Sequence, residues 1–212
     1  SFTYTFRCAT VLVLSLLFLN PLFASELSSS AGEFYHLRQA TVYITMDQGS
    51  CSGVVVASVH VLTAAHCDGP NLAVDGAQAV VVKKNVEADL MLLYVAPEAL
   101  ASRTPLTVAL QRPELDEAVY MAGYPLSIGE VVTEGRMQRL THKDANPHIM
   151  LVSAPGIFGS SGGPVVVREN GEYKIIGIVS AIAMASYDGF FSSPVVHLML
   201  VVNTETINKF LE

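Results

Sequence analysis

The chain has 212 residues, of which 51% are hydrophobic and 15% are charged, so it can bury a substantial core as one or two domains. Its formal net charge is -7 and its lysines and arginines form no cluster, which excludes the basic surface that nucleic-acid binding requires. The composition therefore predicts a folded protein without a nucleic-acid partner.

The first 24 residues have the layout of a secretory signal peptide. Arg7 precedes an apolar run at 9–19, which asparagine and proline interrupt before the small residue Ala24. A membrane anchor is the alternative, but a spanning helix needs about 20 apolar residues and this run is shorter. We expect a signal peptide at 1–24, a secreted or periplasmic product with no membrane association after cleavage, and a flexible, serine-rich lead-in at 25–33.

Short runs of β-branched and apolar residues, separated by turn residues, predict strands along the rest of the chain. They lie at 41–46, 51–57, 60–63, 79–83 and 90–95, and again at 118–122, 131–139, 148–153, 164–168, 173–179 and 195–202. A stretch poor in strand pattern at 96–105 separates the two groups, so we place one domain at 34–105 and another at 106–212. Many short strands at regular spacing are typical of all-β sandwiches or barrels.

Two local signals stand out in the second half of the chain. Asn170-Gly171 between two predicted strands favours the type I′ turn of a tight hairpin. Near the end, Asn203 or Thr204 can cap a short amphipathic helix. One apolar face of this helix consists of Ile207, Phe210 and Leu211.

Loss of the signal peptide would remove Cys8 and leave Cys51 and Cys67, an even pair in an exported chain. We expect a disulfide between them, which would contribute about 3 kcal/mol in the chain-entropy model. Two buried free thiols are the alternative. Because two cysteines without further ligands nearby make a poor structural zinc site, we predict no metal and no cofactor.

The segment from Gly159 to Pro164 reads Gly-Ser-Ser-Gly-Gly-Pro and carries the candidate nucleophile, Ser161. Hydrolysis through a serine needs a hydroxyl activated by an imidazole, a carboxylate that orients the imidazole, and donors for the developing oxyanion. Glycines around the serine permit tight backbone geometry. Taken alone, however, such a stretch is equally typical of a surface turn.

His66 and Asp89 are the candidates for the other two groups. His66 lies among small residues in Thr-Ala-Ala-His-Cys, so a disulfide at Cys67 would fix the segment that carries the imidazole. The other histidines lack a comparable setting. Asp89 precedes the apolar strand at 90–95, where its carboxylate can sit at the edge of a buried surface. Glu87 is the alternative, but it lies farther from the apolar run.

Together the segments at 63–67, 89–93 and 159–164 resemble the three signature motifs of the trypsin/chymotrypsin-like serine peptidase family, in that family's order. The similarity extends over residues 40–211. It implies an all-β fold of two six-stranded antiparallel β-barrels followed by a short C-terminal helix, with the catalytic site in the cleft between the barrels. The first barrel would supply His66 and Asp89, and the second would supply Ser161.

The resemblance also implies that the backbone N–H groups of Gly159 and Ser161 form the oxyanion hole. The substrate strand would run along Ser180, Ala181 and Ile182. Counting back from the nucleophile places Pro155 near the floor of the specificity pocket. No carboxylate stands at these positions, which favours small or apolar substrate side chains, although Asp188 on a nearby segment would reverse that preference.

One departure from the family concerns the residue before the nucleophile. Digestive members carry an aspartate there that pairs with a newly cut N-terminus, whereas this chain has Ser160. The chain is therefore more similar to bacterial and Deg-type members than to digestive zymogens, and we expect activity without zymogen cleavage.

These observations predict a secreted serine endopeptidase that acts as a monomer on protein or peptide substrates. It would form an acyl-enzyme on Ser161 with His66 and Asp89 as its base pair. One alternative is a catalytically inactive binding protein on the same fold, because a peptidase scaffold can survive the loss of its chemistry. Another is a non-peptide esterase, because the same triad cleaves esters.

Overall fold

The computed structural model describes residues 32–138, 146–187 and 191–212, and Phe34–Glu212 form one compact unit. The predicted signal peptide at 1–24, the lead-in up to residue 31 and Asp188 lie outside the described residues. Within the described part of the chain, no helix is long and apolar enough to cross a membrane.

The first half of this unit is a closed antiparallel barrel of six strands. Its strands are β1 (Thr41–Met46), β2 (Gly49–Ala57), β3 (His60–Thr63), β4 (Ala73–Val74), β5 (Ala77–Asn85) and β6 (Leu90–Val95). Their order around the barrel is β1-β2-β3-β6-β5-β4, and pairing of β4 with β1 closes it. Closure leaves no free edge, so every strand finds its hydrogen-bond partners within the barrel.

The second half is a barrel of the same kind with one added strand. Its strands are β7 (Thr107–Val108), β8 (Ala118–Gly123), β9 (Val131–Gln138), β10 (Ile149–Ser153), β11 (Pro164–Glu169), β12 (Glu172–Tyr187) and β13 (Phe191–Asn203). The order is β11-β8-β9-β10-β13-β12, closed by pairing of β11 with β12, while β7 adds to β12 in parallel. The two six-stranded barrels predicted from the sequence are thus present.

Two short helices cover the junction between the barrels. Helix α1 (Tyr35–Ala40) precedes β1, and helix α2 (Thr204–Leu211) ends the chain. Each barrel has its own buried cluster, and a third cluster combines residues of both barrels with both helices. Its members include Leu37 and Ala40 of α1, Ile207 and Phe210 of α2, Val54 and Leu62 of the first barrel, and Ile175 and Ile178 of the second. Burial of such side chains, at about 1.5–3 kcal/mol each, joins the two barrels into one unit.

The structure confirms the hairpin turn and the helix cap that the sequence predicts in the second half of the chain. Asn170 and Gly171 both have positive φ, at 51° and 86°, as a type I′ turn requires, and they join Glu169 to Glu172 in a two-residue hairpin loop. The side chain of Asn203 accepts a hydrogen bond from the backbone N–H of Thr206 and so caps α2.

Helix α1 and the short strands β4 and β7 were not anticipated. Phe34, at the N-terminus of α1, provides no side-chain cap, and a six-residue helix is unstable by itself. It is held because Leu37 and Ala40 are buried against the barrels. Strands of two residues are too short to show any alternation of polar and apolar residues.

A half-buried ionic cluster links α1 to the second barrel. Arg38 of α1 lies 3.1 Å from Glu130, just before β9, through its Nη1 and the carboxylate Oε2. The other carboxylate oxygen of Glu130 is buried and has no hydrogen-bond partner among the described residues. Burial raises the pKa of Glu130, and the positive charges of Arg38 and Arg103 offset this only in part.

Glu130→Gln is therefore expected to stabilise the fold at alkaline pH. A carboxyl whose pKa is raised by folding contributes stability at acidic pH, and this contribution is lost as the pH rises through the folded-state pKa. At pH 8 the neutral amide avoids the burial of a charge, so we expect a Tm higher by about 2 °C, with the gain shrinking towards pH 4. Thermal unfolding across this pH range measures it, and Glu134→Gln, an exposed carboxylate of β9, is the control. A lower Tm of Glu130→Gln at pH 8 would show that the Arg38 pair outweighs the cost of burial.

Candidate active site

His66 lies on a short helical turn, Ala65–Cys67, that follows β3. Ala64, Ala65 and Cys67 are buried, whereas the His66 side chain is 48% exposed and faces the solvent side of the turn. The disulfide between Cys67 and Cys51 of β2 ties this turn to the barrel, as the sequence predicts. The imidazole is thus accessible while its backbone is fixed.

Asp89 precedes β6 and contacts His66 through both carboxylate oxygens. Oδ1 accepts a hydrogen bond from the backbone N–H of His66 at 3.0 Å, and Oδ2 lies 2.9 Å from Nδ1 of the ring. Asp89 has a positive φ of 55°, in the left-handed region, which aspartate tolerates better than most residues. The alternative, Glu87, is exposed and makes no hydrogen bond to His66 within the described segments.

The surroundings of Asp89 favour its ionised form, which in turn favours one tautomer of His66. Burial acts to raise the pKa of Asp89, but hydrogen bonds from His66 and Ser180 and the charge of His66 together lower it. Because an ionised carboxylate can only accept hydrogen bonds, the neutral imidazole carries its proton on Nδ1. Nε2 is then left with a free lone pair, as a general base requires.

Ser180 donates a hydrogen bond to the same carboxylate, with Oγ 2.5 Å from Oδ2 of Asp89. A bulge positions this side chain, since the register of β12 on β13 gains one residue between Val179 and Ala181. Our sequence analysis assigned Ser180 to the substrate path and did not anticipate this contact. The available signal was a hydroxyl inside an apolar strand, because a buried hydroxyl needs a partner.

Ser161 is the second residue of the second of two consecutive tight turns, which share Ser160. The first is closed by the Ser160 N–H on the carbonyl of Ile157, and the second by the Gly163 N–H on the carbonyl of Ser160. Each turn has a glycine with positive φ at its third position, Gly159 at 95° and Gly162 at 79°. The Gly-Ser-Ser-Gly-Gly sequence is thus what this backbone path requires.

This loop packs directly on the first barrel beside the His66 turn. The carbonyl of Ser161 accepts a hydrogen bond from the backbone N–H of Ser52 at 2.8 Å and lies 3.9 Å from Sγ of Cys67. A side chain at Gly162 would come within 2.1 Å of Oγ1 of Thr63 and would force the loop away. The structure therefore brings the loop of Ser161 to the segment that carries the imidazole.

The two predicted oxyanion donors are free. In the part of the chain that the structure describes, neither the Gly159 N–H nor the Ser161 N–H donates to a protein acceptor. Two neighbouring backbone donors without protein partners can stabilise a developing negative charge.

The His66 ring and the two cysteines form the group that could be taken for a metal site. One ring nitrogen lies within 4.8 Å of the sulfur atoms of Cys51 and Cys67. Metal binding requires thiolates, so the disulfide removes both sulfurs as ligands.

A family model described as a trypsin-like peptidase domain matches residues 51–178, which include the turn of His66, Asp89 and the Ser161 loop. The chain belongs to the trypsin-like peptidase family.

Two solved structures of bacterial proteases share the fold of this trypsin-like peptidase. The active form of the Rv3671c protease from M. tuberculosis gives a TM-score of 0.70 at 20% identity, over 86% of this chain and 83% of that chain. The serine endoprotease from Yersinia pestis gives a TM-score of 0.66 at 19% identity, over 84% of this chain and 64% of that chain. None of the curated proteins matches the chain.

The residues predicted to bind substrate in this peptidase lie in two places. Pro155 lines an apolar cavity of about 290 Å³ that also contacts Ser160, and among the described residues no charged side chain lines it. Ser180 faces Asp89, while Ala181 and Ile182 continue along β12 and are half-buried. The cavity is therefore separate from the strand that was predicted to line the substrate path.

Proposed function

We propose that this chain is a secreted or periplasmic serine endopeptidase, with Ser161 as nucleophile, His66 as general base and Asp89 orienting the imidazole. The observation that carries the proposal is the contact of Asp89 with both Nδ1 and the backbone N–H of His66. This contact fixes the ring and leaves Nε2 as its basic nitrogen, on a turn whose Cys67 lies 3.9 Å from the carbonyl of Ser161.

In the proposed mechanism, Oγ of Ser161 attacks the scissile carbonyl carbon while Nε2 of His66 takes the hydroxyl proton. The carbonyl oxygen becomes an oxyanion that accepts hydrogen bonds from the N–H groups of Gly159 and Ser161. Collapse of this intermediate breaks the C–N bond, and His66 returns the proton to the departing amine. Water, activated by His66, then attacks the acyl-enzyme and releases the second product and free Ser161.

Two further features support the assignment to an exported enzyme that cleaves proteins or peptides. The Cys51–Cys67 disulfide fits an oxidising compartment, because reduced thiols prevail in the cytosol of most cells. The uncharged residues Pro155, Ala181 and Ile182 at the predicted substrate-binding positions fit a preference for small or apolar substrate side chains.

Intact-mass analysis of the exported protein after treatment with a fluorophosphonate tests the proposal. Ser161 should displace fluoride and gain one phosphonyl group, and the mass should match a chain that lacks residues 1–24. Ser161→Ala should gain no adduct, and His66→Ala should react far more slowly because the hydroxyl is no longer deprotonated.

Ser160→Ala is the matched control, because it removes the hydroxyl of the adjacent serine, which is buried beside the Pro155 cavity. It should retain the single adduct. Absence of any adduct on folded wild-type protein would instead favour the inactive binding protein.

A further inference from the structure

Ser52 makes a contact that the mechanism above does not use. It lies in β2 of the first barrel, is fully buried, and reaches two backbone groups of the second barrel. Its Oγ accepts a hydrogen bond from the N–H of Tyr124 at 2.8 Å and donates to the carbonyl of Gly159 at 2.7 Å. With the Tyr124 N–H directed at the oxygen, the hydroxyl proton is committed to Gly159.

Gly159 is consequently held on both sides. The carbonyl of the preceding residue, Phe158, accepts a hydrogen bond from the N–H of Leu126 at 2.7 Å, and Ser52 holds the carbonyl of Gly159 itself. All described peptide bonds are trans, so the Gly159 N–H points opposite to the Phe158 carbonyl and away from Leu126. Leu126 has a φ of 53°, a strained conformation of the kind found near functional sites.

No side chain at Gly159 could replace these contacts. A Cβ there would come within 2.6 Å of the carbonyl oxygen of Tyr124, and the φ of 95° already disfavours other residues. The orientation of the Gly159 backbone therefore depends on the hydrogen bonds made by the Phe158 carbonyl, the Gly159 carbonyl and the Ser160 N–H, which donates to the carbonyl of Ile157. Among these three hydrogen bonds, the one from the Ser52 hydroxyl is made by a side chain.

We propose that Ser52 is a positioning residue for the oxyanion hole: its hydroxyl holds the Gly159 carbonyl, limits rotation of the Gly159 backbone, and so keeps the Gly159 N–H directed at the substrate oxygen. This inference rests on the proposed function. Ser52→Ala keeps the backbone N–H bond to the Ser161 carbonyl but leaves the Gly159 carbonyl and the Tyr124 N–H without their buried partner. Of its described hydrogen bonds, the Gly159–Ser160 peptide then keeps the one from the Ser160 N–H to the carbonyl of Ile157, and the Gly159 backbone can turn its own N–H away from the substrate oxygen.

The test measures the rate of labelling by a fluorophosphonate at increasing reagent concentration. Loss of one oxyanion donor costs about 10²–10³ in rate, and we expect Ser52→Ala to lower the maximal rate constant kinact by about 10–100-fold. KI should stay unchanged, because the donor acts in the transition state and contributes little to initial binding. Ser52→Thr, which keeps the hydroxyl, should restore kinact to within about threefold of the wild type.

Thr204→Val is the control for loss of stability. Thr204 is also fully buried, and its hydroxyl donates to the carbonyl of Ile176 at 2.7 Å, away from the Ser161 loop. This variant should keep the wild-type kinact, and thermal unfolding establishes that each protein is folded. If Ser52→Ala does not fold, Ser52→Val against Ser52→Thr makes the same comparison, since the two differ only by a methyl group in place of the hydroxyl.

An unchanged kinact in folded Ser52→Ala, or an equal loss in Thr204→Val, would overturn the positioning role and leave the proposed function intact. A wild-type protein that is not labelled at all would overturn the proposed function, and the role of Ser52 would fall with it.

Discussion

Replacement of Ser161 by alanine is expected to lower kcat for peptide hydrolysis by about 10⁶-fold, and replacement of His66 by alanine should lower it by a similar factor. Without the hydroxyl no acyl-enzyme forms, and without the imidazole no group takes its proton. The release of peptides from denatured casein measures both losses, with the concentration of the enzyme variants raised over several orders of magnitude.

The double variant of Ser161 and His66 gives a sharper test than either single change. Two residues that act as one unit lose their joint contribution once, so the double variant should be no slower than the single variants. Losses that multiplied instead would mean that the two side chains act independently, which contradicts the proposed proton transfer.

Replacement of Asp89 by asparagine is the second large change, with an expected loss in kcat of about 10⁴-fold. The side chain keeps its shape, but its amide can donate a hydrogen bond to Nδ1 and so moves the ring proton to Nε2. In that tautomer His66 cannot accept the proton of Ser161. The binding of substrate should change little, so the loss should appear in kcat and not in KM.

Asp89→Asn should also make the Tm less dependent on pH in the acidic range. The folded-state pKa of Asp89 is lowered, so the ionised carboxylate contributes stability at neutral pH that is lost as the pH falls through that pKa. The difference in Tm between wild type and Asp89→Asn should thus narrow in acid.

Asp68→Asn is the matched control for both measurements. Asp68 is exposed, lies two residues after His66 and pairs with Lys84 at 2.8 Å, outside the proposed proton path. It should leave kcat unchanged. A loss of less than tenfold in Asp89→Asn would show that the carboxylate does not set the tautomer of His66.

The sequence by itself determined the fold class and the residues to be tested. Short β-branched runs between turn residues can form little else than β-sheet, and their number and spacing favoured barrels. The Asn170-Gly171 turn and the Asn203 cap are local signals, because each depends on residues within four positions of one another. His66, Asp89 and Ser161 could be nominated because their local sequences match family motifs.

Only the tertiary structure decided which side chains support those residues. Ser180 contacts Asp89 across 91 positions of the chain, and Ser52 contacts Gly159 across 107. Such contacts depend on a bulge in β12 and on the way in which the two barrels meet, and neither leaves a local pattern in the sequence. Helix α1 is a similar case, since it is stabilised by the burial of Leu37 and Ala40 and not by its own capping or propensity.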